Sequence, residues 1–66
     1  MNISVNNSQK DISENTSIEA LINLLDHTPN GIAVAINEEI ILKRNWNSSF
    51  LKENDDVLII QATQGG

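Results

Sequence analysis

The stretch that decides the fold is VLIIQATQGG, residues 57–66. It opens with four consecutive large apolar residues, a pattern that predicts a buried strand. The apolar character then declines, and the sequence closes on Gly65 and Gly66, two of its three glycines. Glycine has no side chain and reaches backbone conformations closed to other residues. We therefore expect residues 63–66 to form a slim, mobile tail after a folded domain of residues 1–62, although a frayed terminus is the alternative for a Gly-Gly end taken alone.

The strand that begins at Val57 is expected to have two different faces. Successive strand residues point to opposite sides of a sheet, so Val57 and Ile59 would pack on the core while Leu58 and Ile60 face outward. An exposed apolar pair beside a tail is typical of a partner-docking site. We interpret Leu58 and Ile60 in that way, and the alternative is a strand buried on both faces.

Length and composition exclude several classes of protein. The chain has 66 residues, no cysteine and one histidine, so neither disulfides nor an ordinary zinc cluster is expected. A domain of this size buries only about 60% of the surface of its unfolded chain, and its stability must come from an aliphatic core. The formal charge of −5 argues against nucleic-acid binding and suits docking on a basic protein surface.

The composition also bears on location. No apolar run approaches membrane-spanning length, and the N-terminal residues lack the pattern of a signal peptide, so we expect a cytoplasmic protein. Ten asparagines stand out, and we interpret them as a coding bias.

The first half of the chain predicts a hairpin followed by a helix. Residues 2–13 read as two short strands joined by a turn at Asn6-Asn7-Ser8, with Ile3, Val5 and Ile12 facing inward. Thr16 and Glu19 have the spacing of a capping box. A single apolar stripe follows on a helix of about 9–11 residues, ended by the Pro and Gly of residues 28–31. The stripe consists of Ile18, Leu21, Ile22 and Leu25, widened by Leu24.

The second half predicts another hairpin and the final strand. Residues 32–36 and 40–42 are apolar runs separated by the turn 37–39. Trp46 is expected to be partly buried against the sheet edge. Residues 48–51 suggest an irregular turn anchored by Phe50 and Leu51, and residues 53–56 form a polar turn before the last strand.

This order of elements predicts an α+β fold. Five short strands can cover the apolar stripe of one helix only if the helix lies across one face of their sheet. The helix also connects the two hairpins, so we expect the first and last strands to be parallel neighbours in a five-stranded mixed sheet. That arrangement is the β-grasp layout.

Four short motifs occur in a fixed order along the chain: Thr-Ser-Ile-Glu-Ala-Leu at 16–21, Ala-Ile-Asn at 35–37, Lys-Arg-Asn-Trp at 43–46 and Gly-Gly at 65–66. Through these motifs the chain resembles, over its whole length, the ubiquitin-like β-grasp sulfur carriers of thiamine biosynthesis, the ThiS family. Two positions depart from the family pattern. Asn54 replaces the glycine of an Asp-Gly-Asp turn, and asparagine is the next-best residue for a left-handed backbone. Leu42 stands where the family usually has proline.

The resemblance implies a carrier function rather than an enzyme. It implies that Gly66 is adenylated by an E1-like adenylyltransferase of the ThiF type, which uses ATP, and is then converted to a thiocarboxylate. The sulfur would come from a cysteine desulfurase and pass to a thiazole synthase of the ThiG type. Gly65 would be required for the tail to enter these active sites. No bound cofactor, metal or catalytic residue is expected in the chain itself.

Three other functions stay open at this point. The small subunit of molybdopterin synthase is a carrier of the same kind that serves another pathway. A ubiquitin-like protein modifier would be joined to lysines through the same glycine. A simple binding module would have an incidental Gly-Gly end. The carboxylate pairs 38–39 and 55–56 fall in predicted turns, where solvated charge is a better interpretation than acid–base chemistry.

Overall fold

The computed structural model of the chain describes residues 1–26 and 30–61. Its elements follow in the order β1 Asn2–Val5, β2 Ser8–Asp11, α1 Ile18–Leu24, β3 Ile32–Ile36, β4 Glu39–Ile41, a 3-10 helix Lys43–Ser48, and β5 Asp56–Gln61. The proline of the turn predicted at 28–31 lies outside the described residues, as do residues 62–66 and the expectations for them.

One five-stranded sheet contains all the strands, in the order β2-β1-β5-β3-β4. β1 and β5 are parallel, with Ser4 opposite Asp56 and Val5 opposite Val57. The other neighbouring pairs are antiparallel. The predicted β-grasp layout, with the two terminal strands parallel at the centre of the sheet, is therefore confirmed.

Both hairpins turn through pairs of residues with left-handed backbones. Asn6 and Asn7 have φ values of 50° and 70°, and Asn37 and Glu38 have φ values of 50° and 74°. Two-residue hairpin turns with positive φ at both positions match the twist of the flanking strands. The turn predicted at Asn6-Asn7-Ser8 is confirmed at its first two residues, whereas Ser8 already belongs to β2.

The core lies between α1 and one face of the sheet. It contains the inward residues of the strands, the helix stripe and the residues that flank the 3-10 helix. Its buried members are Ile3, Val5, Ile12, Ile18, Leu21, Ile22, Val34, Trp46, Leu51, Val57 and Ile59. All the inward positions predicted for the first hairpin belong to it.

The helix begins one residue later than predicted and is shorter. Ser17, not Thr16, caps it, because the Ser17 side chain accepts from the Ala20 N–H at 3.1 Å. The Thr16 carbonyl instead accepts from the Leu51 N–H at 2.9 Å, which holds residue 16 in an extended pairing with the chain beyond Trp46. The predicted capping box with Glu19 is therefore wrong.

The end of the helix also departs from prediction. α1 stops at Leu24, and Asp26 has a φ of 63°. The helix therefore ends before the proline that the sequence predicts to terminate it. Leu24 is 67% exposed and does not widen the stripe, while Leu25 is only partly buried against the core.

The segment around Trp46 is more ordered than predicted. Residues 43–48 form a 3-10 helix, whereas the sequence suggested a turn at 48–51. Trp46 is 3% exposed and its Nε1 donates to the Ile41 carbonyl at 3.0 Å, so the indole is a core residue with its polar atom satisfied. Phe50, expected to anchor a turn, is 56% exposed; Leu51 alone is buried.

The turn before β5 keeps the shape that the family pattern requires. Asn54 has a φ of 69°, so it supplies the left-handed position that glycine usually occupies. Asp55 is buried and accepts from the Lys52 N–H at 2.8 Å and from Asn37 Nδ2 at 3.1 Å. This carboxylate ties the turn of the second hairpin to the start of β5.

Candidate functional site: an apolar sheet face along the last strand

β5 has one buried and one exposed face, as its sequence predicts. Val57 and Ile59 are 0% and 6% exposed, whereas Leu58 and Ile60 are 46% and 48% exposed. The alternative of a strand buried on both faces is wrong. Leu58 and Ile60 point away from α1, onto the outer side of the sheet.

The strand register extends this exposed pair into a larger surface. Ala35 lies opposite Leu58 and Ala33 opposite Ile60, and directly opposed residues of antiparallel strands share a face. On the next strand Ile40 lies opposite Ala35. Leu42 follows two residues later with an extended backbone, so it continues the same row. We call this surface the outer apolar face: Ala33, Ala35, Ile40, Leu42, Leu58 and Ile60.

The outer apolar face is recessed along its middle. Ala35 is only 6% exposed although it points away from the core, because the larger side chains on both neighbouring strands flank it. Ala35 thus forms the floor of a shallow recess between Ile40 on β4 and Leu58 on β5, whereas Ala33 is exposed.

This face concentrates the exposed apolar residues of the described part of the chain. Six large apolar side chains are exposed in the described part of the chain, and four of them belong to the outer apolar face. Contiguous apolar patches on small proteins mark interaction sites more often than scattered apolar residues do. The remaining two, Leu24 and Phe50, lie elsewhere, on the helix and on the loop after the 3-10 helix.

Sequence reasoning found only part of this face. It assigned Leu58 and Ile60 from the alternation along one strand, but it read residues 40–42 simply as an apolar strand. The missing signal was the register of β4 against β3, which depends on the two-residue turn at Asn37-Glu38.

The rim of the outer apolar face is polar and acidic. Glu38 and Asp56 border a shallow depression together with Ala35 and Leu58. On the other side of β5, the outward residues of β1 and β2 include Ser4, opposite the start of β5. The apolar face therefore meets acidic residues at the hairpin end of β3.

The opposite end of this face lies at the end of β5. Gln61 is the last residue of β5 and of the described ranges, and Ile60 immediately precedes it. Gly65 and Gly66, the residues assigned to sulfur transfer, lie outside the described residues. Their roles remain predictions.

The described side chains offer no grouped chemistry of their own. Within residues 1–26 and 30–61 there is no cluster of three potential metal ligands. Glu38, Glu39 and Asp56 are exposed. Asp55 is buried but is engaged by backbone and amide donors. No helix in those ranges has the length and apolarity to cross a membrane.

Comparison with solved structures supports the fold. A crystal structure of the thiamine biosynthesis protein ThiS from Geobacter metallireducens superposes with a TM-score of 0.86 over 100% of both chains, at 22% identity. A solution structure of a thiamine biosynthesis protein from the same organism gives a TM-score of 0.81, covering 100% of this chain and 88% of the other, at 23% identity.

Comparison of sequences identifies the family. The uncharacterized protein ycf40 of Porphyra purpurea is 32% identical over 100% of this chain and 93% of its own length. The sulfur carrier protein ThiS of Escherichia coli K12 is 27% identical over 100% of both chains. The model of the ThiS family matches residues 3–66. Because that match spans nearly every residue, the chain belongs to the ThiS family.

Proposed function

We propose that this protein is a sulfur carrier for thiamine biosynthesis whose Gly66 carboxylate becomes a thiocarboxylate. Membership of the ThiS family supports this proposal, as does the likeness to a relative named as a sulfur carrier. The structural observation that carries it is the outer apolar face, which runs along β5 to Gln61, five residues before Gly66.

The chemistry begins with activation, because a carboxylate is a poor electrophile at neutral pH. An E1-like adenylyltransferase of the ThiF type joins the Gly66 carboxylate to AMP from ATP and releases pyrophosphate. The terminal sulfur of a persulfide, supplied through a cysteine desulfurase, then attacks the acyl carbon and AMP leaves. A thiol cleaves the resulting acyl disulfide, which forms a new disulfide and frees the thiocarboxylate.

The protein's own contribution is to present the reacting carbon. It contains no cysteine, so the persulfide and the resolving thiol belong to partner proteins. Gly65 and Gly66 carry no Cβ, and a backbone of this width fits a narrow channel and leaves the acyl carbon unhindered. A thiazole synthase of the ThiG type would accept the thiocarboxylate sulfur after the same narrow Gly-Gly end enters its active site.

The energetics of docking require more than the tail. Ordering the tail that the sequence predicts to be mobile, residues 63–66, costs roughly 4–8 kcal/mol at ~1–2 per residue. Leu58 and Ile60 are only about half exposed, so covering both returns about 1.5–3 kcal/mol. Ile40 and Leu42 are 60% and 51% exposed, so covering them as well roughly doubles this favourable free energy. In this proposal the whole outer apolar face is the docking surface for the activating enzyme, because the pair on β5 alone does not offset the cost of ordering the tail.

The test is formation of the thiocarboxylate by purified components. The full chain is incubated with the adenylyltransferase, ATP and a persulfide donor, and its intact mass is measured. We expect one oxygen to be replaced by one sulfur, located at Gly66 by fragmentation. Two control chains, one lacking Gly66 and one with an alanine appended after it, should not acquire sulfur, because the carboxylate is displaced or hindered.

A second stage of this experiment separates the related functions. Transfer of sulfur to thiazole synthase supports the thiamine assignment, whereas transfer only to a molybdopterin synthase supports the other carrier pathway. Isopeptide adducts on lysines in cells would indicate a protein modifier. If neither a thiamine-type nor a molybdopterin-type activating enzyme forms an adenylate or a thiocarboxylate, the carrier proposal is wrong.

A further inference from the structure

The last part of β5 extends beyond its parallel neighbour. β1 ends at Val5, opposite Val57, while β5 continues to Gln61. From Leu58 onward the backbone pairing of β5 is with β3 alone. A strand with one open side exposes unpaired N–H and C=O groups and is held less firmly than a strand paired on both sides.

The side chain of Asn6 pairs with β5 at the first residue on its open side, Ile59. The Ile59 N–H donates to Asn6 Oδ1 at 2.8 Å, and Asn6 Nδ2 donates to the Ile59 carbonyl at 3.3 Å. The backbone N–H of Asn6 also donates to the Val57 carbonyl at 2.9 Å. The carboxamide thus takes the place of one more peptide group of β1 and continues the ladder by one residue.

The residue type at position 6 fits two requirements at once. Its φ is 50°, a left-handed conformation that asparagine tolerates better than most residues. Its side chain must also present one donor and one acceptor side by side, which a carboxamide does and a carboxylate does not. Glycine would satisfy the first requirement alone.

We propose that Asn6 is a positioning residue for sulfur loading, which holds the end of β5 so that the chain leaves the sheet at a fixed place beside the outer apolar face. This inference rests on the proposed function. Five residues follow Gln61, the last of them Gly66, and they span at most ~18 Å when extended. When the outer apolar face is docked on the partner, the direction of the chain at Gln61 decides which positions the Gly66 carboxylate can reach. Small misplacements of a reacting group reduce turnover strongly.

The direct test measures amide exchange in three variants. In Asn6→Gly the left-handed turn is kept and the carboxamide is lost. Asn6→Asp keeps the acceptor for the Ile59 N–H but places an oxygen against the Ile59 carbonyl. Asn7→Gly is the matched control, since Asn7 shares the turn with a φ of 70° and its side chain takes part in none of the hydrogen bonds found in the described part of the chain.

We expect the Ile59 amide to exchange about tenfold faster in Asn6→Gly than in the control. The amides of Leu58 and Ile60 serve as internal references. The Asp56 carbonyl accepts a hydrogen bond from the Asn37 N–H on the β3 side, and the Ile59 N–H points to Asn6 on the β1 side. Because the backbone groups of successive strand residues alternate in direction, the N–H groups of Leu58 and Ile60 point to β3. Their exchange should not change. Asn6→Asp should lie between Asn6→Gly and the control.

The functional readout separates positioning from folding. None of the six residues of the outer apolar face is changed, and Asn6 and Asn7 border the same depression beside Leu58, so the KM of the adenylyltransferase for Asn6→Gly should stay near that of Asn7→Gly. Its kcat should fall roughly tenfold, at a temperature at which the melting curves show both variants to be fully folded.

The outcomes are distinguishable. Equal Ile59 exchange in Asn6→Gly and Asn7→Gly would overturn the inference, and so would an equal kcat or a loss confined to KM. If the unaltered chain is not adenylated at all, the proposed function fails, and with it any role in loading. The exchange measurement then still decides whether Asn6 holds the end of β5.

Discussion

Asparagine has a structural use in this chain that its composition does not reveal. Among residues 1–26 and 30–61, seven residues other than glycine have positive φ, and five of them are asparagines, at positions 6, 7, 15, 37 and 54. Asparagine adopts this conformation at lower cost than other residues with a Cβ. Half of the ten asparagines therefore shape turns, and the interpretation of their number as a coding bias is wrong for these five.

The other two of the seven are Asp26 and Glu38, and Glu38 gives a stability prediction. It has a φ of 74° in a turn of the same form as Asn6-Asn7, and a left-handed glutamate is strained. Glu38→Asn should raise the free energy of unfolding by roughly 1 kcal/mol, a rise of about 4–8 °C in melting temperature. Calorimetry measures it. Glu38→Gln removes the charge but keeps the strain, so its melting temperature should stay near that of the parent; an equal rise would attribute the effect to charge.

At the scale of elements, the sequence predicted the strands and their faces better than the connections. Alternation along β5 correctly assigned Leu58 and Ile60 to the outer side, because a strand has only two faces. The start of α1 was misplaced because Thr16 pairs with Leu51, 35 residues away, a contact that the local spacing of Thr16 and Glu19 does not reveal.

The candidate site was predictable only in part for the same reason. Ile40 and Leu42 join Leu58 and Ile60 through the pairing of β4 with β3 and of β3 with β5. A single strand's periodicity contains no information about register between strands, which the turns set. The burial of Trp46 was underestimated because its hydrogen bond to the Ile41 carbonyl requires the 3-10 helix that follows β4.

The outer apolar face gives a prediction for the elements that build it. Changing Leu58 and Ile60 together to serine should weaken the complex with the activating enzyme by roughly tenfold or more, since two half-exposed side chains no longer contribute. The melting temperature should change little. Titration calorimetry and thermal unfolding measure the two effects. Leu24→Ser alters a more exposed leucine on α1 and should leave the affinity unchanged. A collapse of stability in the double variant would contradict the docking role.

At the scale of the whole molecule, charge and apolar surface point to the same kind of partner. Of the nine acidic residues, only Asp55 is buried, and the other eight are exposed. A net charge of −5 opposes association of two copies through the outer apolar face. It favours a partner whose apolar contact surface is surrounded by basic residues, because complementary charge raises the rate of encounter.

This reasoning predicts that salt slows the encounter with the activating enzyme. Raising the sodium chloride concentration from about 50 to 500 mM shortens the screening length severalfold, so the association rate constant should fall roughly tenfold. The dissociation rate constant, governed by apolar contacts, should change much less. Stopped-flow or biosensor kinetics measure both. Glu38 borders the outer apolar face beside Leu58, whereas Glu19 is exposed on α1. Glu38→Gln should therefore slow association more than Glu19→Gln. An association rate that is independent of salt, or equal in the two variants, would show that charge does not guide this face to its partner.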